Sequence, residues 1–369
     1  MRRCDASTGR RDASTDSAGD NMKKPVVVKL GSSLVVDSAG RARRSVITGR
    51  CREIAELVSD RTPVCVVSSG AIALGLRRMK LSSRPRSIPK LQAASALGQS
   101  RLQRVWEEEL ARHGLQSAQI LLTAADVADR ATYLNARNAL KALLDMSAVP
   151  VVNENDATAT DEITFGDNDA LAAQVAALLS ARLLILLTEV EGVYTHAPGT
   201  PGASLIEDGR AVGSAEFKGM TSLGKGGMKS KVVAAEMAAS AGVPTVIAAG
   251  HADDVIGPLV AGAPRGTKFA PKSEAPSAFK LWLRFAKPVS GRLHLDAGAE
   301  RALRSDGRSL LAVGVVRCEG TFDAGDGVEL VGPGGEAFGK GLAGASSSDI
   351  AGRPRNLEAV HRDRLVIYE

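Results

Sequence analysis

The stretch VPVVNENDATATDEITFGDND, residues 149–169, decides the class of the fold. Its first four residues form an apolar run typical of a buried strand, and the residues that follow it, ALAAQVAALL, are typical of a helix. Between these two patterns, residues 153–169 contain six carboxylates and three asparagine side chains. A strand that leads into a helix is part of a βαβ unit, and open α/β sheets bind their ligands at the ends of such strands. The stretch therefore predicts an α/β sheet with a polar loop at one strand end.

This polar loop allows more than one interpretation. Its density of carboxylates and amides favours a functional site, and clustered aspartates also bind cations in many proteins. Asp and Asn favour turns and helix caps as well, so the alternative is a solvated loop in which Asp167 or Asn168 only caps the next helix.

Strand and helix patterns alternate on both sides of this stretch. Apolar, β-branched runs occur at residues 25–30, 62–68, 117–122, 183–188 and 245–249. Helical patterns separate these runs, which is typical of consecutive βαβ units. We therefore expect an open sheet of six or seven strands, and the low aromatic content of 3% fits an aliphatic core.

Composition divides the chain into four parts. Residues 1–22 are polar and nearly repeat themselves, which predicts a disordered or non-native tail, with Met22 as the alternative start. Residues 23–263 hold the α/β pattern, and the prolines and polar residues of 264–278 predict a linker. Short alternating runs separated by glycines in residues 279–369 predict a small β-rich, barrel-like domain.

The overall composition is that of an ordinary globular protein. The net charge of +6 is spread along the chain, and no apolar run has the length of a membrane span. The four cysteines lie far apart without metal-ligand spacing, which predicts reduced thiols and a cytoplasmic location.

Three glycine-containing motifs are expected at strand ends. Lys29 precedes Gly31 in KLGSS, Ser69 precedes a glycine in SSG, and residues 224–231 read GKGGMKSK before a helical pattern. Glycine lets the backbone approach a phosphate, a helix start presents free N–H groups, and lysine adds mobile positive charge. Taken singly, each allows an ordinary alternative: a solvent-facing strand lysine, a turn or helix cap, and a flexible basic surface loop. Together with the carboxylate and amide loop they indicate phosphoryl transfer to a small polar acceptor.

Nine blocks of the sequence resemble, in order, the members of the amino acid kinase family that phosphorylate L-glutamate. The blocks are VVVKLGSS, VSSGAIALG, LGQSRL, LLT, LNARN, VPVVNENDATAT, FGDND, LLILLTEVEGVYT and GKGGMKSK. The C-terminal part, which ends in VHRDRLVIYE, resembles a PUA domain. The resemblance implies a three-layer α/β/α sandwich with an open, mostly parallel sheet, followed by the small β-rich PUA-like barrel.

The resemblance also implies an activity. ATP, with Mg²⁺, would phosphorylate the γ-carboxylate of L-glutamate to give L-glutamyl 5-phosphate, the first step of proline biosynthesis. Lys29 and Lys231 would neutralise the transferring phosphoryl group, Asp169 would orient both lysines, and Asp167 would share that role. The implied substrate ligands are Ser69, Asp156 and Asn168, with Asp156 reading the α-ammonium group. The implied ATP-binding residues are Lys29, Thr188, Glu189, Lys225, Gly226, Gly227, Met228, Lys229, Ser230 and Lys231.

Two positions depart from the usual family pattern. Glu189 stands where the family usually has Asp, and Lys225 stands where it usually has Thr. Both substitutions concern the nucleotide contacts, and the alternatives for Lys225 are a contact with a phosphate and a side chain that points to solvent.

Several partners and rival activities follow from the same comparison of motifs. The family implies feedback inhibition by proline and a homo-oligomer. A rival activity is the phosphorylation of acetylglutamate, aspartate or carbamate, because the fold and the lysines are shared. A second rival is RNA binding through the PUA-like domain, which is disfavoured because few aromatic side chains accompany its arginines. These arginines are Arg284, Arg292, Arg301, Arg304 and Arg308.

Overall fold

The computed structural model of the protein describes residues 23–81, 83–158, 168–214, 227–271, 278–285 and 287–368. The predicted N-terminal tail therefore lies outside the described residues. So do the second half of the polar loop, with Asp167, and the start of the glycine-rich loop, with Lys225 and Gly226.

The first domain is built around one large sheet. Its strands, with a separate two-stranded ribbon, are β1 (Val26–Leu30), β2 (Val64–Ser68), β3 (Ser117–Leu122), β4 (Val149–Glu154), β5 (Leu183–Thr188), β6 (Val193–Tyr194), β7 (Leu205–Ile206), β8 (Thr245–Ala249) and β9 (Thr267–Phe269). The described part of the sheet has seven strands in the order β3-β4-β2-β1-β5-β8-β9. Neighbouring strands are parallel except for β9, which runs antiparallel to β8 at the edge. The predicted open, mostly parallel sheet is confirmed.

Helices cover both faces of this sheet. They are α1 (Ser32–Val35), α2 (Arg44–Ser59), α3 (Ala71–Arg78), α4 (Ile88–Ala111), α5 (Ala124–Ala128), α6 (Arg130–Asp145), α7 (Asn168–Leu178), α8 (Met228–Ser240) and α9 (Ile256–Val260). Two buried hydrophobic clusters lie between the layers: one contains residues of α2, α4 and α9, and the other contains residues of α6, α7 and α8. The sheet is thus the middle of three layers, as the α/β/α prediction requires.

Strand alternation decides which layer each polar side chain meets. In β1, Val28 packs in the cluster of α2 and α4, whereas Val27 packs in the cluster of α7 and α8. Successive side chains of a strand point to opposite faces, so Lys29 faces α7 and α8. In β4, Val151 packs in the cluster of α2 and α4, so Asn153 faces α4.

Helices α3 and α4 approach each other with backbone contact. A Cβ atom added to Gly75 of α3 would lie 1.7 Å from the backbone oxygen of Ala94 in α4. A Cβ added to Gly98 of α4 would lie 1.8 Å from the backbone oxygen of Ala71 in α3. Only glycine permits this spacing, and it brings α4 beside the start of α3 at the end of β2.

The second domain is rich in strands. Its elements are α10 (Ala278–Phe285), β10 (Gly291–Leu295), α11 (Ala297–Arg304), β11 (Leu310–Leu311), β12 (Val315–Glu319), β13 (Gly327–Val331), β14 (Ala337–Leu342), α12 (Ser347–Ala351), β15 (Glu358–Val360) and β16 (Leu365–Ile367). Five strands form a mixed sheet in the order β12-β10-β13-β14-β16, and β11 pairs with β15. Its own hydrophobic core includes Leu293, Val328 and Phe338.

Helix α10 joins the two domains. Its Trp282 and Leu283 are buried in the cluster that also contains Leu140 of α6, together with Leu342 and Val366 of the second domain. The predicted linker is wrong for residues 267–269, because they form the edge strand β9. No described helix is both long enough and apolar enough to cross a membrane.

Candidate active site

Two lysines and one aspartate meet at the carboxyl edge of the large sheet. Lys29 Nζ lies 2.5 Å from Asp169 Oδ1, and Lys231 Nζ lies 3.1 Å from Asp169 Oδ2. Lys29 is the penultimate residue of the central strand β1, Asp169 belongs to the first turn of α7, and Lys231 belongs to the first turn of α8. The carboxylate therefore joins three elements that are far apart in sequence.

This cluster is almost fully buried. Asp169 is 1% exposed, and both lysines are also buried. Burial opposes ionisation of the carboxyl group, but the ammonium groups of Lys29 and Lys231 outweigh it and lower the pKa of Asp169 to about 2. Asp169 is therefore ionised at neutral pH, and its two carboxylate oxygens are shared between the ammonium groups of Lys29 and Lys231.

The start of α8 leaves space and donors beside the cluster. Gly227 caps the helix with extended backbone and without a side-chain hydrogen bond to the first turn. A Cβ atom added to Gly227 would meet no described atom within 4 Å, so the described residues leave the approach to the first turn open. A Cβ added to Gly31 would lie 4.0 Å from Lys29 Nζ, so glycine also leaves room beside that ammonium group. A helix start with free N–H groups next to lysines is suited to bind phosphate.

The residues predicted to bind ATP divide into three groups. Met228, Lys229, Ser230 and Lys231 belong to the first turn of α8 and not to the preceding loop. The side chain of Lys229 is exposed, whereas the Ser230 hydroxyl lies 2.8 Å from Asp169 Oδ2. Ser230 thus contacts the carboxylate that holds the lysines, a contact that the motif alone did not predict.

Thr188 ends β5, next to β1 in the sheet, and Glu189 follows it. Thr188 is half-buried, and its backbone oxygen accepts a hydrogen bond of 2.7 Å from the N–H of Gly250 after β8. Glu189 is exposed. The structure thus places this pair at the same edge of the sheet as Lys29. Lys225 and Gly226 lie outside the described residues.

The residues predicted to bind the acceptor follow β2 and β4 and begin α7. Ser69 is buried and is followed by Gly70, which adopts the left-handed backbone conformation with φ 108° before α3 begins. A side chain at Gly70 would be strained by this conformation and would also collide with Val36, so glycine is required at this sharp turn. Asn168 is the first residue of α7, and its Oδ1 accepts a hydrogen bond of 3.2 Å from the backbone N–H of Glu154. This hydrogen bond ties α7 to the end of β4.

Asp156 follows β4 and is held by α4. Ser95 donates a hydrogen bond of 2.8 Å to Asp156 Oδ2, and Asp156 is 4% exposed. Burial raises the pKa of Asp156, and the hydrogen bond from Ser95 opposes that rise. Asp156 Oδ1 is buried without a hydrogen-bond partner among the described residues. A buried carboxylate oxygen without a donor is suited to receive the N–H of a ligand.

Helix α4 contributes residues that the motifs did not assign to the site. Gln99 lies within the block LGQSRL, and its Oε1 accepts a hydrogen bond of 2.6 Å from Asn153 Nδ2 at the end of β4. The block was recognised as family sequence, but a helical pattern does not show which strand end the helix contacts. Ser95 and Gln99 are the functional candidates that sequence reasoning missed.

The arrangement has two chemically distinct sides. The side of β1, α7 and α8 has two lysine ammonium groups and the N–H groups of a helix start, which suit the phosphates of a nucleotide. The side of β2, β4 and α4 has a buried carboxylate and amides, which suits a small molecule with an ammonium group. Asp167 lies outside the described residues.

Comparison with known proteins identifies the families of both domains. The model of the amino acid kinase family matches residues 24–249, and the model of the PUA domain matches residues 291–358. A glutamate 5-kinase of Acinetobacter baumannii is 42% identical over 363 residues, which cover 94% of this chain and 96% of that protein. A glutamate 5-kinase of Burkholderia cenocepacia is 42% identical over 364 residues, which cover 93% of this chain and 98% of that protein.

A solved structure supports the fold. The carbamate kinase of Giardia lamblia bound to AMP-PNP aligns with a TM-score of 0.51 and 15% identity. The alignment covers 68% of this chain and 99% of that structure. At this identity the likeness concerns the fold alone.

Proposed function

The chain belongs to the amino acid kinase family, in which its relatives are glutamate 5-kinases, and we propose that it transfers the γ-phosphoryl group of ATP to the γ-carboxylate of L-glutamate. The products are L-glutamyl 5-phosphate and ADP, which makes the reaction the first step of proline biosynthesis. The observation that best supports this chemistry is the convergence of Lys29 and Lys231 on Asp169 at the carboxyl edge of the sheet.

The acceptor needs no general base. The γ-carboxylate of free glutamate is ionised at neutral pH, because its ordinary pKa is about 4. One of its oxygens attacks the γ-phosphorus of ATP while the bond from that phosphorus to the β,γ-bridging oxygen breaks, and ADP leaves with the electron pair. Catalysis then depends on positioning and on stabilisation of charge.

The two lysines supply that stabilisation in this mechanism. Negative charge is spread over the three equatorial oxygens of the transferring group, and Lys29 and Lys231 would neutralise it from two elements. Asp169, ionised and fixed at the start of α7, would hold both ammonium groups in place. The hydroxyl of Ser230 would hold Asp169 in turn.

ATP would lie over the start of α8 and the end of β5. The open backbone at Gly227, the first turn of α8 and Thr188 border this space, and Lys225, Gly226 and Glu189 are proposed to border it as well. Among the described residues no group of three His, Cys, Asp or Glu side chains is arranged to hold a metal ion. The magnesium ion proposed to support the reaction would shield the charge of the phosphates of ATP.

The acceptor would lie between β2, β4 and α4. Asp156 is proposed to read the α-ammonium group of glutamate, since its Oδ1 is buried and lacks a donor among the described residues. Ser69 and Asn168 are proposed as further ligands, and Asp167 as a second carboxylate beside the lysines.

The test is an acceptor assay with direct trapping of the product. The purified protein is incubated with ATP, magnesium, hydroxylamine and either L-glutamate, acetylglutamate, aspartate or carbamate, and ADP and hydroxamate are measured. Hydroxamate from L-glutamate, with little from the other acceptors, is the expected result. Turnover of another acceptor at a higher kcat/KM than glutamate would overturn the proposal.

The C-terminal domain gives no support to RNA binding as the main activity. Arg292 pairs with Glu329 at 2.8 Å, and Arg304 pairs with Glu300 at 2.8 Å and also stacks on Phe338. These arginines therefore have partners within the domain. Proline inhibition, a homo-oligomer and a cytoplasmic location stay predictions.

A further inference from the structure

Helix α4 holds both polar residues at the end of β4. Ser95 and Gln99 are four residues apart on α4, so their side chains are neighbours on one face of the helix. Ser95 donates to Asp156 Oδ2 at 2.8 Å, and Gln99 Oε1 accepts from Asn153 Nδ2 at 2.6 Å. The end of β4 is therefore held by two consecutive turns of the same helix.

The two contacts leave three buried polar atoms unused. Gln99 Nε2, Asn153 Oδ1 and Asp156 Oδ1 have no hydrogen-bond partner among the described residues. Gln99 is 8% exposed, Asn153 is 1% exposed and Asp156 is 4% exposed, so water has little access to these side chains. A buried polar group without a hydrogen-bond partner is destabilising, and three such atoms on side chains that meet at the end of β4 indicate a ligand that completes them.

The three atoms form a complement to an α-amino acid head group. Asp156 Oδ1 and Asn153 Oδ1 are acceptors, and an α-ammonium group carries three donors. Gln99 Nε2 is a donor, and an α-carboxylate offers only acceptors. The hydrogen bond between the Gln99 and Asn153 amides places the donor Gln99 Nε2 beside the acceptor Asn153 Oδ1. The α-carboxylate and the α-ammonium group of an amino acid are likewise neighbours, because one Cα atom carries both.

We propose that Gln99 is a specificity-determining residue, whose Nε2 donates a hydrogen bond to the α-carboxylate of the amino acid acceptor while Asn153 Oδ1 and Asp156 Oδ1 accept from its α-ammonium group. This inference rests on the proposed function, because it assigns the head group of the acceptor in the same site. The inference goes beyond the proposed function because it assigns to α4, through Gln99, the distinction between an acceptor with an α-carboxylate and one with a neutral group.

The test uses a substitution that keeps shape but reverses the hydrogen-bonding role. In Gln99→Glu, the new carboxylate can still accept from Asn153 Nδ2, but it faces the α-carboxylate without a donor and with like charge. We expect the KM for L-glutamate to rise about ten- to hundredfold, while kcat and the KM for ATP change by less than about threefold. Gln99→Leu, which removes the donor without adding charge, should raise the same KM by a smaller factor.

A second acceptor separates recognition from structure. The α-amide of L-glutamate carries a neutral group with N–H donors in place of the α-carboxylate. In Gln99→Glu the ratio of kcat/KM for L-glutamate to kcat/KM for the α-amide should fall at least about tenfold, since the new carboxylate accepts from that amide. An equal loss for both acceptors would assign Gln99 a purely structural role and overturn the inference.

A matched control lies one turn along the same helix. Gln103 is half-buried, and its Nε2 donates to Ser117 Oγ at 3.1 Å, at the start of β3. Gln103→Glu should leave the KM for L-glutamate unchanged. An unchanged KM in Gln99→Glu, with the wild-type protein active on L-glutamate, contradicts the inference alone, whereas a wild-type protein that forms no hydroxamate from L-glutamate contradicts the proposed function.

Discussion

Lys29 Nζ lies 2.5 Å from Asp169 Oδ1, and this ion pair joins the end of the central strand to the first turn of α7. Lys231 approaches the other oxygen of the same carboxylate from α8. Removing two charges from water is costly, and a buried pair is therefore weak evidence for a stabilising role. Two ammonium groups held at one carboxylate are suited to neutralise a transferring phosphoryl group, which favours a catalytic explanation.

The first prediction concerns the two lysines. Lys29→Met and Lys231→Met should each lower kcat about 100- to 1000-fold, because each removes positive charge that opposes the transition state. The KM for L-glutamate should change much less, since neither lysine is assigned to the acceptor. Steady-state kinetics of ADP release checks both values.

Two controls accompany this experiment. Lys141→Met replaces an exposed lysine of α6 and should leave turnover unchanged. Far-ultraviolet circular dichroism should match the wild type, since methionine preserves the buried stem of the lysine. A folded Lys231→Met variant with near-normal kcat would remove Lys231 from the mechanism.

The second prediction is that replacing Asp156 has opposite effects on stability and on substrate binding. Burial raises the pKa of Asp156, so the folded protein binds its proton more tightly than the unfolded chain does. The contribution of Asp156 to the stability of the folded protein is therefore complete below the pKa of about 4 that it has in the unfolded chain. This contribution is lost as the pH rises through the higher pKa that Asp156 has in the folded protein. Asp156→Asn should consequently raise the midpoint of thermal unfolding at pH 7 and raise the KM for L-glutamate at least about tenfold.

The pH dependence separates this explanation from a general packing effect. The stability difference between Asp156→Asn and the wild type should shrink as the pH falls toward 4, because wild-type Asp156 then becomes neutral as well. Thermal unfolding at pH 7, 6, 5 and 4 measures this difference. A lower midpoint for the variant at pH 7, or an unchanged KM for L-glutamate, would contradict the assigned role of Asp156.

The sequence predicted the lysine and aspartate cluster of the site, but it did not predict the contacts of α4. Lys29, Asp169 and Lys231 each lie in a short motif at a strand end or helix start, and alternation along β1 directs Lys29 to the layer that contains α7 and α8. The contacts of α4 were not predictable in this way. Ser95 is 61 residues from Asp156, and Gln99 is 54 residues from Asn153. A helical period shows which face is buried, but it does not show which strand end that face meets.

Two further differences have local physical causes. The ATP contact expected of Ser230 from its glycine-rich motif stays a prediction, but the motif does not show that the first turn of α8 directs the hydroxyl to Asp169. The edge strand β9 was assigned to a linker because it has only three residues and prolines flank it. A strand of this length has no measurable alternation, so its pairing with β8 depends on tertiary context.

The third prediction concerns the contact between α3 and α4. Gly75→Ala should destabilise the protein by about 2–3 kcal/mol, because the new methyl group would overlap the backbone oxygen of Ala94 and the helices must separate. The displacement should also raise the KM for L-glutamate, since α4 carries Ser95 and Gln99. Urea unfolding followed by circular dichroism measures the first effect, and steady-state kinetics measures the second.

Gly49 of α2 provides the matched control for this substitution. It is also a helical glycine, but an added Cβ would meet no described atom within 4 Å. Gly49→Ala should be neutral or stabilise the protein by up to about 1 kcal/mol through helix propensity, with unchanged kinetics. If Gly75→Ala proves as stable as Gly49→Ala, the backbone contact between α3 and α4 is not as close as described.

The last prediction concerns Lys340 of β14, which connects the second domain to α10 by hydrogen bonds. Its Nζ donates to the backbone oxygens of Arg284, at 3.5 Å, and Lys287, at the end of α10. Burial lowers the pKa of Lys340 to about 8 from an ordinary value of 10.5. The unfolded chain therefore binds this proton more tightly than the folded protein does between pH 8 and 10.5. Stability contributed by Lys340 is present in full above pH 10.5 and is lost as the pH falls through 8.

Wild-type stability should accordingly rise with pH relative to Lys340→Met, which cannot titrate. We expect the difference in unfolding free energy between the two proteins to move by about 2 kcal/mol in favour of the wild type from pH 7 to pH 10. Taking the difference cancels the titration of cysteines and tyrosines, which both proteins share. Urea unfolding followed by tryptophan fluorescence is suitable, because Trp282 lies in the same joining helix. A difference that stays constant over this pH range would show that Lys340 keeps an ordinary pKa, and that its ammonium group is solvated and does not cap α10.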